Sequence, residues 1–159
     1  MGVHMKDIDS MVPGFDEALA RLPGTLGAYA DLAHSLDRGT LTARSRAEIG
    51  LIVAARVRCE YSLWVMQRLA AKQGMTEEDI LFASMGICRG RRESAVARLA
   101  CLMVSGAEIE QRKTSEHPDA RFFNQAELAE IIAQVAMAVL TCTVLQGIAP
   151  RPVTARREA

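Results

Sequence analysis

The sequence lacks most of the features that would identify a function directly. Its formal net charge is zero, which argues against a general binder of nucleic acid or anionic membranes, because those partners select a basic excess. It has no glycine-rich phosphate loop, no strand-like alternation and no paired spacing of metal ligands. We therefore expect no nucleic acid, no membrane and no metal among its partners.

Cysteines are few and far apart. The four of them, Cys59, Cys88, Cys101 and Cys142, form neither a metal motif nor the dense framework of a small secreted protein. The N-terminus has no charged start followed by an apolar core, so no signal peptide is evident. Free thiols in a reducing compartment are the simplest interpretation, and we predict a cytoplasmic protein.

Length and composition fit one well-buried domain. The chain has 159 residues, of which 50% are hydrophobic and only 4% aromatic, so we expect a core of aliphatic residues and methionine. We predict a flexible leader over residues 1–12, whose first five residues resemble a cloning remnant. A single domain follows over residues 13–152, and residues 153–159 form a flexible tail.

Apolar residues recur at spacings of three and four, which is the period of an α-helix. Capping residues mark several helix starts, the clearest being Asn124 with Glu127 three residues later. The sequence thus predicts an all-α fold of about six to seven helices. The helical segments are residues 13–21, 23–36, 42–72, 76–85, 93–109 and 124–146.

Residues 131–150 carry no charge, which raises the question of a membrane span. Polar residues such as Gln134 and Thr141 interrupt this stretch, and it is barely long enough to cross a bilayer. We expect instead a helix buried on nearly all sides, in the core and against a neighbouring subunit. Its inner stripe is predicted to comprise Leu128, Ile131, Ile132, Val135, Val139 and Cys142.

The stretch from Cys59 to Met66 contains the strongest candidate for chemistry. Cys59, Ser62 and Met66 are spaced so that they share one face of a helix. A thiol at the start of a helix lies near the positive end of the helix dipole, which makes it easier to ionise. The alternative is a buried structural cysteine.

This stretch resembles the motif of the carboxymuconolactone decarboxylase and alkyl hydroperoxidase D family, in which Glu precedes Cys-x-x-Cys-x-x-x-His by about a dozen residues. The matching positions here are Glu48, Cys59, Ser62 and Met66. The resemblance implies that family's helical fold, with a helix break just before Cys59 that divides segment 42–72. It also implies a homo-oligomer, a trimer or a hexamer, and no cofactor.

The same resemblance implies site roles. Cys59 would be the catalytic thiol of a peroxidase or antioxidant enzyme, and Glu48 would move protons at the thiol. Ser62 and Met66 replace the second thiol and the histidine, so a lone Cys59 would form a sulfenic acid and require an external thiol reductant. Tyr61 and Trp64 are candidates for the wall of a small-molecule pocket.

Three alternatives remain open from the sequence. Glu48 could be a structural residue paired with Arg44, four residues earlier. Glu48 could instead serve a decarboxylase or isomerase acting on a small carboxylated or lactone substrate, which the arginines at positions 89, 91 and 92 would recognise. The chain could also be a redox-inactive binding or scaffold protein.

Overall fold

The computed structural model describes residue 8, residues 10–105 and residues 117–148. This part of the chain contains seven α-helices, one 3-10 helix and no strand, which confirms the all-α prediction. The α-helices are α1 (Phe15–Ala20), α2 (Thr25–Asp37), α3 (Ala43–Arg56), α4 (Glu60–Lys72), α5 (Glu77–Ser84), α6 (Arg91–Ser105) and α7 (Gln125–Ile148), and the 3-10 helix spans Pro118–Phe122.

Helix α3 is the centre of the fold. It packs against α4, α5, α6 and α7, and ten consecutive residues, 45–54, are buried. The helix starts at an N-cap formed by Thr42, whose hydroxyl oxygen accepts from the Ser45 amide at 3.0 Å. Because α3 has neighbours all around its middle, its polar residues must find partners inside the protein.

Helix α7 is the longest element and contacts α1, α2, α3, α4 and α6. The predicted capping box opens it: Glu127 N–H donates to Asn124 Oδ1, and Asn124 N–H donates to Glu127 Oε2, both at 2.9 Å. Ile131 is fully buried whereas Ile132 is 47% exposed. The prediction that Ile132 faces inward is wrong, because adjacent helical residues point about 100° apart.

By length and composition, α7 could also cross a membrane, a test that the central helix of a globular domain passes as well. Its two faces differ in burial within the domain. Val135, Cys142 and Leu145 are buried together with Ile131, while Leu140 is 40% exposed. The helix therefore forms part of the core along one side and leaves an apolar side uncovered.

Between the predicted helical segments 93–109 and 124–146, a polar stretch that we expect to be a surface loop contains a further short helix. Residues 106–116, which include the predicted end of this helix and the start of the loop, lie outside the described residues. The rest of the loop forms the 3-10 helix, where Asp119 accepts from Arg98 Nε and Nη2, both at 2.7 Å. At the N-terminus, Ile8 and Val12 lie within the predicted leader but are buried in the core.

Glu130 of α7 anchors the loop between α2 and α3. Its carboxylate accepts from the Thr40 amide and hydroxyl, both at 2.7 Å, and from the Leu41 amide at 2.9 Å. Gly39 leaves the space that this carboxylate occupies. These contacts fix the end of α2 and the start of α3. Four residues of the cavity described below are located there: Leu36, Asp37, Arg46 and Ala47.

Candidate functional site

Cys59 lies at the turn between α3 and α4. It is the N-cap residue of α4, has an extended backbone and is partly exposed. Arg58, just before it, has a φ of 53° and is the one non-glycine residue with positive φ in the described chain. Such backbone conformations are costly and occur often at functional sites. The helix break predicted before Cys59 is present, because α3 ends at Arg56 and α4 begins at Glu60.

Ser62 takes a structural role that links α4 to α7. Its side chain is fully buried, and its hydroxyl donates to the Cys142 carbonyl oxygen at 3.2 Å. Burial raises the pKa of the Cys142 thiol to about 12, with a lowering effect from Ser62 and a small raising effect from Cys59. These three side chains form one neighbourhood, in which the Cys142 thiol stays protonated at neutral pH.

Glu48 points to a different part of the protein. Its carboxylate is buried and accepts from Arg44 Nε at 3.0 Å, and Arg44 Nη2 also pairs with Asp79 at 3.1 Å. Burial raises the pKa of Glu48, and this effect is opposed by Arg44 and by the neighbouring Cys88 thiol. Glu48 Oε2 has no hydrogen-bond partner of standard length.

Cys88 and Cys101 were not predicted to belong to a site. Burial and the Glu48 charge raise the pKa of Cys88 to about 12, which makes it a poor nucleophile at neutral pH. Cys101 Sγ accepts from Arg56 Nη2 at 3.4 Å. Nothing in the local sequence signals these contacts, because α3, the turn after α5 and α6 meet only in the folded chain.

A cavity of about 50 Å³ lies between α2, α3, α4 and α7. Met66 lines it, whereas Cys59, Glu48, Ser62, Tyr61 and Trp64 do not. On α3 the cavity is bordered by Arg46, Ala47 and Gly50. Glu48 follows Ala47 by one residue, or about 100° of helical rotation, and is thereby turned toward α5. None of the four cysteines borders this cavity.

Tyr61 and Trp64 lie on the outer side of α4. Their rings stack at 6.0 Å with an interplanar angle of 9°, and Trp64 is 44% exposed. The Arg68 guanidinium carbon lies 5.5 Å from the Trp64 ring centroid. This pair borders the protein surface and has no contact with the cavity beside Met66.

Two of the three clustered arginines are already paired with carboxylates. Arg89 contacts Glu78 at 3.3 Å and Asp79 at 3.4 Å, and Arg92 contacts Glu127 at 2.6 Å. Within residues 10–105 and 117–148, no three His, Cys, Asp or Glu side chains come together as metal ligands would. The thiol at Cys59 and the cavity beside Met66 are thus two features of the described residues that suggest chemistry or binding.

Comparison with known proteins shows the fold. No protein-family model matches the chain, and no curated protein does. A solved structure of the debrominase Bmp8, a cysteine-to-alanine variant in complex with 2,3,4-tribromopyrrole, is similar to it with a TM-score of 0.67 at 14% identity. The similarity covers 92% of this chain and 87% of that one. The all-α fold is consistent with the carboxymuconolactone decarboxylase and alkyl hydroperoxidase D-like fold that the sequence resemblance implies.

Proposed function

We propose that this protein is a thiol-dependent peroxidase with Cys59 as its single reactive thiol. The observation that supports this most directly is the position of Cys59: partly exposed, at the N-cap of a 13-residue helix, beside the left-handed Arg58. A helix start favours the thiolate through its dipole and free amides. Burial raises the pKa values of Cys88 and Cys142 to about 12, so these two thiols are protonated and unreactive at neutral pH.

With a single reactive thiol, the proposed reduction of a hydroperoxide proceeds through a sulfenic acid at Cys59. The Cys59 thiolate attacks the outer oxygen of a small hydroperoxide, the O–O bond breaks, and the alkoxide leaves with a proton as an alcohol. Cys59 is then a sulfenic acid. An external thiol condenses with it, releasing water, and a second external thiol reduces the mixed disulfide to regenerate Cys59. The hydroperoxide is reduced and two external thiols are oxidised.

An external reductant is part of the proposal because the nearby groups are unsuited to resolution. Ser62 has no sulfur, and the Cys142 thiol is fully buried with a raised pKa. As a second part of the proposal, Glu48 moves protons to and from the Cys59 thiol, as the resemblance implies. Its raised pKa suits a proton carrier, although its described contacts are with Arg44 rather than Cys59.

Peroxide consumption with a small dithiol as reductant tests the proposal. We expect turnover in the wild type, loss of turnover in Cys59→Ser, and trapping of a sulfenic acid at Cys59 by a dimedone-type reagent. Cys101→Ser is the matched control, since Cys101 is also a partly buried thiol. Equal turnover in wild type and Cys59→Ser would exclude the mechanism. Glu48→Gln tests the proton role separately, with a changed pH profile expected.

The proposal includes a cytoplasmic homo-oligomer, because a reducing compartment supplies the thiols. Support for oligomerisation comes from exposed apolar side chains on α4, α5 and α7. The most exposed are Leu81 at 59%, Ile132 at 47%, Trp64 at 44% and Leu140 at 40%. Such groups are common at subunit contacts. Light scattering after size exclusion should give a trimer or a hexamer, and a monomer would refute this part.

A second candidate is a non-thiol enzyme or binding protein for a small molecule. The specific observation in its favour is that no cysteine borders the cavity beside Met66. The structural neighbour is bound to a small halogenated ring, which supports a small-molecule ligand in this fold. A screen of lactones and keto acids against wild type and Glu48→Gln tests for decarboxylase or isomerase activity.

A further inference from the structure

The cavity between α2, α3, α4 and α7 combines apolar walls with buried polar groups. Met66, Leu69 and Met137 are among the apolar residues that border it. The polar groups belong to Tyr29, Asp37, Arg46, Gln134 and Thr141. A pocket of apolar walls with a few convergent polar groups is the usual form of a small-molecule site.

Arg46 Nε is the first of the buried polar atoms at the cavity that form no hydrogen bond. Arg46 is only 7% exposed, and its Nη1 donates to the backbone oxygens of Leu36 at 3.3 Å and Leu41 at 2.5 Å. Its Nε–H is buried without an acceptor; Asp37 Oδ1 lies 3.7 Å away, beyond hydrogen-bond length. A buried charged donor without an acceptor is rare in native structures, so this N–H calls for an acceptor from the cavity.

Gln134 presents the complementary group. Its Oε1 is a buried acceptor without a hydrogen bond. The two hydroxyls that border the cavity cannot donate to it, because they donate elsewhere. Thr141 Oγ1 donates to the Met137 carbonyl oxygen at 2.8 Å, which leaves the Tyr29 hydroxyl as the donor in its 2.7 Å bond to Thr141. Arg46 Nε–H and Gln134 Oε1 are thus a donor and an acceptor, on two residues that border the cavity, that form no hydrogen bond within the protein.

Charge and size restrict the ligand further. The Arg46 guanidinium lies beside the Asp37 carboxylate, so the pair is close to neutral and an anion would meet the negative charge of Asp37. A volume of about 50 Å³ corresponds to roughly three to five water molecules. A molecule of about four non-hydrogen atoms fills that space.

We propose that this cavity binds a small neutral molecule that carries both a hydrogen-bond acceptor and a hydrogen-bond donor, of the class of a short primary amide. The carbonyl oxygen would accept from Arg46 Nε, and the amide N–H would donate to Gln134 Oε1. The methyl end would contact Met66 and Met137. Binding is non-covalent, since no cysteine borders the cavity, and it is independent of the chemistry proposed for Cys59.

Three probes of equal size test separately whether the ligand needs an acceptor, a donor and a neutral charge. Acetamide has both the acceptor and the donor, acetone has the acceptor alone, and acetate is an anion. Titrations followed by amide chemical shifts of the full-length protein give the affinities. We expect acetamide to bind with a Kd of about millimolar, with acetone and acetate each about tenfold weaker.

Gln134→Leu removes the acceptor with little change in volume, and Gln67→Leu, on the outer part of α4, is the matched control. We expect acetamide binding to weaken about tenfold in Gln134→Leu and to stay unchanged in Gln67→Leu. Equal binding of acetate, undiminished binding in Gln134→Leu, or a crystal structure with acetamide present that shows only water in the cavity would each overturn the proposal. Peroxide turnover of Gln134→Leu should equal that of the wild type.

Discussion

An alanine at position 39 would collide with the carboxylate of Glu130. A Cβ built on Gly39 overlaps the Glu130 carboxylate, which is not free to move, because it holds Thr40 and Leu41 through three hydrogen bonds of 2.7–2.9 Å. Gly39 does not have a positive φ, so its backbone conformation is open to alanine. The cost of Gly39→Ala is therefore the cost of displacing Glu130.

The magnitude follows from those bonds. Hydrogen bonds to a charged group contribute about 1.5–3 kcal/mol each when buried, but the Thr40 contacts are solvent-exposed, so we expect a loss of about 2 kcal/mol in total for Gly39→Ala. For a chain of this size, that loss lowers the Tm by roughly 4–8 °C. In a Glu130→Ala background the obstacle is gone, and Gly39→Ala should change the free energy of unfolding by less than about 0.5 kcal/mol.

A double-mutant cycle measures this coupling. Urea unfolding of the wild type, Gly39→Ala, Glu130→Ala and the double variant gives four free energies of unfolding. We expect a coupling energy of about 1.5–2 kcal/mol. If Gly39→Ala were equally costly in both backgrounds, the clash would not be its cause. Gly27→Ala, where a Cβ meets nothing within 4 Å, is the control for the general effect of the substitution.

Three further predictions concern titration and the thiol. Burial raises the pKa of Glu48 above its ordinary value of 4.5, so the folded state takes up a proton before the unfolded state does. Relative to Glu48→Gln, the wild type should therefore gain stability as the pH falls toward that ordinary value, and urea unfolding that shows a relative loss would contradict the sign. Arg98 lowers the pKa of Asp119 below its ordinary value of 3.8, so the contribution of this pair is present above that value and is lost as the pH falls through the lower pKa of the folded state. Asp119→Asn should cost about 1 kcal/mol at neutral pH, and thermal melts should show this cost shrinking progressively below pH 3.8. Ser62→Cys restores a Cys-x-x-Cys pair and should raise dithiol-dependent peroxide turnover with formation of a disulfide, detected by thiol titration; unchanged thiol content under oxidation would contradict this.

The sequence predicts the helices because their signals are local. Asn124 caps α7 as predicted, and Thr42 and Thr76 cap α3 and α5 in the same way. Such a signal can be seen in the sequence because a cap depends on residues only three apart. The break before Cys59 has no glycine or proline to mark it. It was predicted by resemblance, and Arg58 provides it at the cost of a left-handed backbone.

The candidate site is less accessible from sequence, because it depends on which helices meet. Ala47 borders the cavity, whereas Glu48 is hydrogen-bonded to Arg44. The two residues are adjacent in the sequence, and a rotation of about 100° around the helix axis gives them different surroundings. Arg46, in an apolar helix, gives no sign that its acceptors are the carbonyl oxygens of Leu36 and Leu41. The contact between Ser62 and Cys142 joins residues 80 positions apart, which no local pattern encodes.

The uninterrupted burial of residues 45–54 in α3 has a consequence for how the protein opens. Amide protons in that segment are shielded by four neighbouring helices, so they should exchange with deuterium only when the whole domain unfolds. Amides near the ends of α2 and α4 should exchange earlier, through fraying. The exchange rate of amides in the middle of α3 would then report global unfolding, and the local opening of every other helix can be measured relative to it.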